Sequence, residues 1–114
     1  VSASGQIIDA TEATFNSTTY ASSGGATTLT LQQFDFMVQA DPTAGDLTIE
    51  LSGLEQNRVY NIFGCCNLTN DIFLSGSNMK FTGAYGTTSS TYTFGPGEHL
   101  EIVYIGSTYF ISKK

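Results

Sequence analysis

The side chains that could take part in catalysis are few and scattered along the chain. His99 is the only histidine, so any arrangement of a nucleophile with a histidine and an acid must include it. It follows Gly95-Pro96-Gly97 at the predicted start of a strand, and the sequence contains no Gly-x-Ser-x-Gly motif. We therefore expect His99 to be a turn or surface residue, and we expect no catalytic residues and no enzymatic activity.

Carboxylates could serve glycoside hydrolysis or bind a cation. Glu50, Glu98 and Glu101 are the candidates for a hydrolytic pair. Glu50 and Glu101 fall on the polar side of amphipathic strands, where carboxylates are solvated. The segment from Asp41 to Glu50 resembles a calcium loop only superficially, because it lacks acids at the third and fifth positions and its glycine is misplaced. The sequence predicts no metal site and no cofactor.

Cys65 and Cys66 are adjacent in the sequence. A disulfide between neighbouring residues is strained, so we do not expect one here. We expect two free thiols, in a loop or in the core of a protein made in a reducing compartment. The spacing of other potential ligands does not support a metal or redox role for the pair.

Composition and charge restrict the class of protein. The chain has 114 residues, which is enough for one domain, and it carries a net charge of −6. Ten acids against four bases exclude a basic groove for nucleic acid, and a basic amphipathic helix for binding a membrane surface is also missing. The N-terminus lacks the features of a signal peptide, and the start at Val1 suggests a fragment or a processed piece.

Alternating apolar residues and frequent turn residues predict an all-β protein. Residues 1–26 are expected to form an N-terminal arm or linker, with one edge strand near Ile7. Residues 27–114 are expected to form one domain of about eight short strands at roughly ten-residue spacing, with a turn at Ser75-Gly76-Ser77. This pattern is typical of an antiparallel β-sandwich, and we predict a jelly-roll-like one.

Several strands are apolar on both faces, which is unusual for a strand with one solvated side. In the strand from His99 to Ile105, we expect Leu100, Ile102 and Tyr104 to face the core. Either the other face lies at the crowded centre of the sandwich, or it packs against another subunit. On the second interpretation, the subunit contacts are Val103, Ile105 and Phe110, and the domain is a homotrimer.

Two loops are candidates for ligand recognition, because loops on a rigid β scaffold commonly carry it. One is the long loop around Tyr85, and the other contains Asn67 and Asn70. Their aromatic and amide side chains are suited to binding a glycan.

Two stretches together resemble a known family. One is Pro42-Thr-Ala-Gly-Asp-Leu-Thr-Ile-Glu-Leu-Ser-Gly, followed by Arg58-Val-Tyr-Asn-Ile-Phe-Gly, and the other is the Pro-Gly-Glu and Gly-Ser-Thr-Tyr-Phe-Ile pattern between Tyr92 and Ser112. Their order resembles a β module that recurs in tailed-bacteriophage fibre, head-fibre and capsid-decoration proteins. The chain departs from this module at Tyr109, where such modules commonly carry Trp, and in the loop that contains the two cysteines.

The resemblance implies a non-enzymatic structural or adhesion module of a virion, often trimeric and made in the bacterial host cytoplasm. The N-terminal arm would join it to other virion proteins. The alternative is a carbohydrate-binding module, or a receptor-binding tip that reads a host-surface glycan through Asn67, Asn70 and Tyr85. A small hydrolase that uses Glu50 or Glu98 is a third hypothesis.

Overall fold

The computed structural model describes residues 16–114, which form an all-β protein. The nine strands are β1 (Asn16–Ala21), β2 (Thr27–Thr30), β3 (Asp35–Asp41), β4 (Leu47–Glu50), β5 (Val59–Gly64), β6 (Ile72–Phe81), β7 (Ser89–Phe94), β8 (His99–Ile105) and β9 (Thr108–Lys113). The predicted all-β class is confirmed. Within the same residues, we find no helix with the length and apolar character needed to cross a membrane.

Strands that are two apart along the chain pair in parallel, and this pairing makes the chain coil. β1 pairs with β3 and β3 with β5, while β2 pairs with β4 and β4 with β6. Thr27 lies opposite Leu47, and Leu47 lies opposite Ile72. The chain therefore makes three successive turns, each adding one strand to a β1-β3-β5 stack and one strand to a β2-β4-β6 stack.

The hairpin of β8 and β9 joins the two stacks at one end. β8 is antiparallel to β5, and β9 is parallel to β6, so the sheet order is β1-β3-β5-β8-β9-β6-β4-β2, with β7 beside β6. The result is a nearly closed, barrel-like sheet.

The predicted antiparallel sandwich is not confirmed, because five of the eight strand ladders are parallel. Parallel strands need a long crossover connection. Here each crossover contains a strand of the opposite stack, so the short spacing between strands did not indicate an antiparallel arrangement.

Both stacks contribute side chains to one core. In β4 the burial alternates, with Leu47 and Ile49 fully buried and Glu50 exposed, as the period of a strand requires. The predicted core residues of β8 are confirmed: Leu100 and Ile102 are fully buried, and Tyr104 packs against the cluster. The largest fully buried side chains are Tyr60, Leu31, Leu47, Ile49, Ile62, Ile72, Leu74, Met79, Leu100, Ile102 and Ile111.

The turn predicted at Ser75-Gly76-Ser77 does not form, because β6 continues through it for ten residues. Gly76 lies under Leu51, whose Cβ would be 3.1 Å from a Cβ at this position. The pairing of β6 with β7 shifts in register between Ser75 and Met79. Asn78, in this interval, has a φ of 61°, and its side-chain amide donates hydrogen bonds to Ser107 O and Thr108 Oγ1. Gly76 and Asn78 therefore allow β6 to continue past Leu51 with a local irregularity, and they do not end the strand.

The boundary predicted at residue 26 does not match the sheet. β1 lies within the stretch that was predicted to be an arm, and it pairs with β3 along Ser17 to Ala21. The edge strand predicted near Ile7 lies outside the described residues.

Tyr20 connects the two ends of the sheet, β1 and β2. Its hydroxyl donates to the buried carboxylate of Asp35 and lies 3.2 Å from Thr30 O. The backbone N–H of Gln32 donates to the Tyr20 hydroxyl at 3.1 Å and to Asp35 Oδ2 at 3.1 Å. Burial, followed by the bond to Asp35, raises the pKa of Tyr20 well above its ordinary value. This network of hydrogen bonds links β1 to β2, the two end strands of the sheet, which do not pair with each other through their backbones.

Tyr60 and Tyr109 make similar connections inside the protein. The Tyr60 hydroxyl donates to Gln33 O at 2.7 Å and accepts from Glu55 N at 2.9 Å. The Tyr109 hydroxyl donates to Leu51 O at 3.3 Å. Desolvation by burial raises the pKa of both phenols.

These raised pKa values predict alkaline unfolding. A phenol whose pKa is higher in the folded state contributes full stability below about pH 10, the pKa of an unfolded tyrosine, and that contribution is lost as the pH rises further. The Tyr60→Phe variant should lose about 1–3 kcal/mol at neutral pH, because two hydrogen-bond partners are left unpaired, and its stability should fall less steeply above pH 10. Urea unfolding at pH 7 to 11 measures both effects, with Tyr85→Phe as the exposed control. Equal alkaline slopes in wild type and Tyr60→Phe would contradict the assignment.

Gly64 provides a second test of the fold. A Cβ at this position would overlap the carbonyl oxygen of Gly95, and the Gly64 N–H donates to Glu98 O at 2.9 Å. The Gly64→Ala variant should therefore be destabilised by about 1–3 kcal/mol, the usual cost of overpacking. Gly86→Ala is the matched control, because nothing lies within 4 Å of its added Cβ. Chemical denaturation that gives the same stability for both variants would contradict this close approach.

Candidate functional site

An apolar row crosses the outer face of the sheet. Val59 on β5 pairs with Val103 on β8, Val103 pairs with Phe110 on β9, and Phe110 pairs with Lys80 on β6. In β8 and β9 these residues alternate with buried ones, so they point away from the core. The row is therefore a continuous surface contributed by adjacent strands.

Two further side chains enlarge this row. Ile105 lies two residues beyond Val103 on the same face and is 49% exposed. The ring of Tyr85 contacts the ring of Phe110 edge-on, at 5.5 Å between centroids. Lys80 Nζ donates to Tyr85 O at 3.0 Å and so holds the Tyr85 loop against the sheet. We call Val59, Tyr85, Val103, Ile105 and Phe110 the outer apolar patch.

The structure brings together the three residues predicted as subunit contacts, Val103, Ile105 and Phe110. Their role in an interface stays a prediction. Val59 was not among the predicted contacts, because only the register of β5 against β8 reveals that it adjoins Val103. Tyr85 was predicted to bind a ligand, and its ring lies against Phe110.

The three predicted ligand-binding residues are not brought together. Asn67 and Asn70 precede β6, whereas Tyr85 follows it, and a ten-residue strand spans roughly 30 Å.

The side-chain amides of Asn67 and Asn70 form hydrogen bonds within their own loop and to a neighbouring turn. Asn67 Oδ1 accepts from Thr69 N, Thr69 Oγ1 and Asn70 N at 2.7 to 2.9 Å. Asn70 Nδ2 donates to Pro42 O at 2.8 Å. Both asparagines therefore shape the loop, and Leu68 at its tip is 90% exposed.

His99 occupies a structural position at the start of β8. Its Nε2 lies 2.8 Å from Asn61 Oδ1, and its ring stacks on Phe63 with 4.1 Å between centroids. Two of the candidate carboxylates are near it in the chain, and both form ion pairs with lysines: Glu98 with Lys113 at 3.6 Å and Glu101 with Lys114 at 3.4 Å. Glu50 is exposed on β4, where it accepts from Thr30 Oγ1 at 3.3 Å. Among the described residues, these contacts do not assemble a nucleophile, a base and an acid.

Cys65 and Cys66 form a disulfide, so the prediction of two free thiols is wrong. The backbone at Cys66, the second residue of this disulfide, has a φ of 88°, which lies in the left-handed region that residues other than glycine rarely adopt. Gln39 Nε2 donates to Cys65 Sγ at 3.0 Å and is 3.6 Å from Cys66 Sγ. An acid, Asp41, also lies near both sulfurs.

A groove of about 410 Å³ lies on the outer face of β1, β3 and β5, and Cys65 is among its lining residues. Met37, Gln39 and Phe63 line it. Asp41 was not predicted to lie near the cysteines, because that proximity depends on β3 and β5 running in parallel. Only a correct prediction of this parallel pairing would have placed Asp41 beside Cys65.

No protein-family model matches this sequence, and searches of curated proteins and of solved structures also gave no match. The function must therefore be inferred from the residues themselves and from their arrangement.

Proposed function

We propose that this protein is a non-enzymatic structural module of a bacteriophage particle, in a head fibre, a tail fibre or a capsid-decoration protein. It assembles as a homotrimer through the outer apolar patch. The observation that carries this proposal is the outward row of Val59, Val103 and Phe110. The resemblance of residues 42–112 to phage fibre and decoration modules supports the class of particle.

The chemistry of the patch suits a contact between subunits. Aliphatic and aromatic side chains on a rigid sheet lose little conformational entropy when they are covered. Covering a Val, Ile or Phe side chain fully stabilises a complex by about 1.5–3 kcal/mol relative to leaving it in water. The patch members that are partly exposed, such as Ile105 and Tyr85 at 49% each, retain much of this free energy for association.

Polar residues border the patch, as they border most protein interfaces. Lys80 follows Phe110 along the same row. On the same face, two residues before Val103, Glu101 of β8 pairs with Ser112 of β9. A subunit interface centred on Val103 would therefore have an apolar centre and a charged margin, which fixes the orientation of the partner.

A charge at the centre of the patch should disrupt the oligomer. The Val103→Asp variant is expected to change from trimer to monomer, because a buried carboxylate without a partner is strongly unfavourable. Light scattering at low micromolar concentration measures the mass. Thr93→Asp is the matched control, since Thr93 is also an exposed β-strand residue but lies on β7, away from the patch. Thermal unfolding of both variants separates loss of association from loss of folding.

Two results would overturn the interface: a wild-type protein that is monomeric at this concentration, or a folded Val103→Asp variant that keeps the wild-type mass.

The location in a virion needs a separate test. Antibodies raised against this domain should label purified particles of the phage that encodes it, as seen by immuno-electron microscopy. Label confined to the particle-free fraction of the lysate would contradict a structural role in the particle, whatever the oligomeric state.

A further inference from the structure

We propose that Asp41, Cys65 and Cys66 form a redox-gated binding site for a thiophilic divalent cation, of which Zn²⁺ is the representative. The disulfide form is closed to the metal, and the reduced form binds it through two thiolates and one carboxylate. This inference is independent of the proposed virion function. It departs from the expectation, drawn from sequence, that no metal site is present.

The register of two strands brings the three residues together. β3 and β5 are parallel, with Ala40 opposite Gly64, so the next residues along the two strands are Asp41 and Cys65. Side chains alternate along a strand, and Asp41 therefore projects on the same face as Gln39. One potential ligand atom from each of Asp41, Cys65 and Cys66 lies within 4.8 Å of the other two. The three groups are therefore close enough that, once the S–S bond is broken, rotation of their side chains can bring them around one cation.

Asp41 has an oxygen to offer. Within the described part of the chain, both hydrogen bonds accepted by its side chain, from Thr43 N at 2.9 Å and from Thr43 Oγ1, end on Oδ1. These bonds fix the orientation of the carboxylate and leave Oδ2 for a ligand. Orientation of a metal-binding carboxylate by a second group is a general feature of metal sites.

The site does not depend on the disulfide for its position. Cys65 N donates to Ala40 O at 2.9 Å, which joins the ends of β3 and β5 through the backbone. Asn70 Nδ2 donates to Pro42 O at 2.8 Å, and this bond holds the cysteine loop to the residues after Asp41. Neither bond involves a sulfur atom. When the S–S bond is broken, the three ligands therefore remain on the same corner of the sheet.

The gate is a two-electron reduction. A dithiol donates two electrons and its two protons to the S–S bond and becomes a disulfide, or a phosphine donates two electrons and takes its oxide oxygen from a water molecule, whose two protons go to the sulfurs; in both cases Cys65 and Cys66 become thiols. Metal binding then releases the two thiol protons to solvent, because the thiolate is the ligand. Cys66 is exposed, so a reductant can reach the bond.

The donor set selects the class of metal. Two thiolates with one carboxylate suit Zn²⁺ and its softer analogue Cd²⁺, and are unsuited to Mg²⁺ or Ca²⁺, which prefer oxygen ligands only. The N–H of Gln39 that now contacts Cys65 Sγ would remain as a hydrogen-bond donor to the thiolate. Water would complete the coordination on the exposed side.

The test is a Cd²⁺ titration of the whole chain, before and after reduction, with the reductant removed without oxygen. Thiolate-to-cadmium charge transfer in the ultraviolet reports binding. Reduced wild type should bind one Cd²⁺ per chain, and Zn²⁺ should displace it; the oxidised protein should give no signal. Asp41→Asn should bind at least about tenfold more weakly, because the amide loses the charge but can still accept the Thr43 bonds. Cys66→Ser should show no binding.

The controls separate this site from general effects. Glu55→Gln removes an exposed acid elsewhere and should bind as wild type does, and circular dichroism checks that each variant is folded. Thiol counting should find two thiols only after reduction. Equal binding by Asp41→Asn and wild type would remove Asp41 from the site. Absence of a signal from the reduced protein would overturn the metal site, and two free thiols before reduction would overturn the gate.

Discussion

The β8–β9 hairpin is the contact on which the rest of the fold depends. The parallel pairing alone leaves the last strand of each stack, β5 and β6, with an edge of unpaired backbone groups. β8 pairs with β5 and β9 pairs with β6, so one hairpin satisfies both ends. Its inward side chains, Leu100, Ile102 and Ile111, at the same time fill the core between the stacks. Pairing and packing are thus supplied by the same short segment.

This closure decides which surfaces are free for function. With the inner faces of both stacks occupied by the core, the outer face of the sheet and the loops at the strand ends remain for recognition. The outer apolar patch lies where the hairpin meets β5 and β6. The corner of Asp41, Cys65 and Cys66 lies instead at the carboxyl ends of β3 and β5. The proposed assembly and the proposed metal binding therefore concern different parts of the molecule and can be tested independently.

Local patterns in the sequence were sufficient to predict individual strands, but they were insufficient to predict which strands pair with each other. The strand from His99 to Ile105 and the burial of Leu100 and Ile102 were both predicted correctly. The turn at Ser75-Gly76-Ser77 was wrong, because glycine in a strand can also mark the close approach of a neighbour, here Leu51. Such an approach involves residues far apart in the chain.

The sequence by itself determined the all-β class and the inward set of side chains on most strands, because alternation is a property of successive residues. Tertiary structure alone decided the direction of pairing, since parallel and antiparallel strands share the same alternation. That decision placed Asp41 beside Cys65 and Val59 beside Val103, and neither proximity has a signature in the spacing of residues. It also determined that the adjacent cysteines bond to each other. Contacts between residues distant in sequence depend on register, which the whole core selects at once.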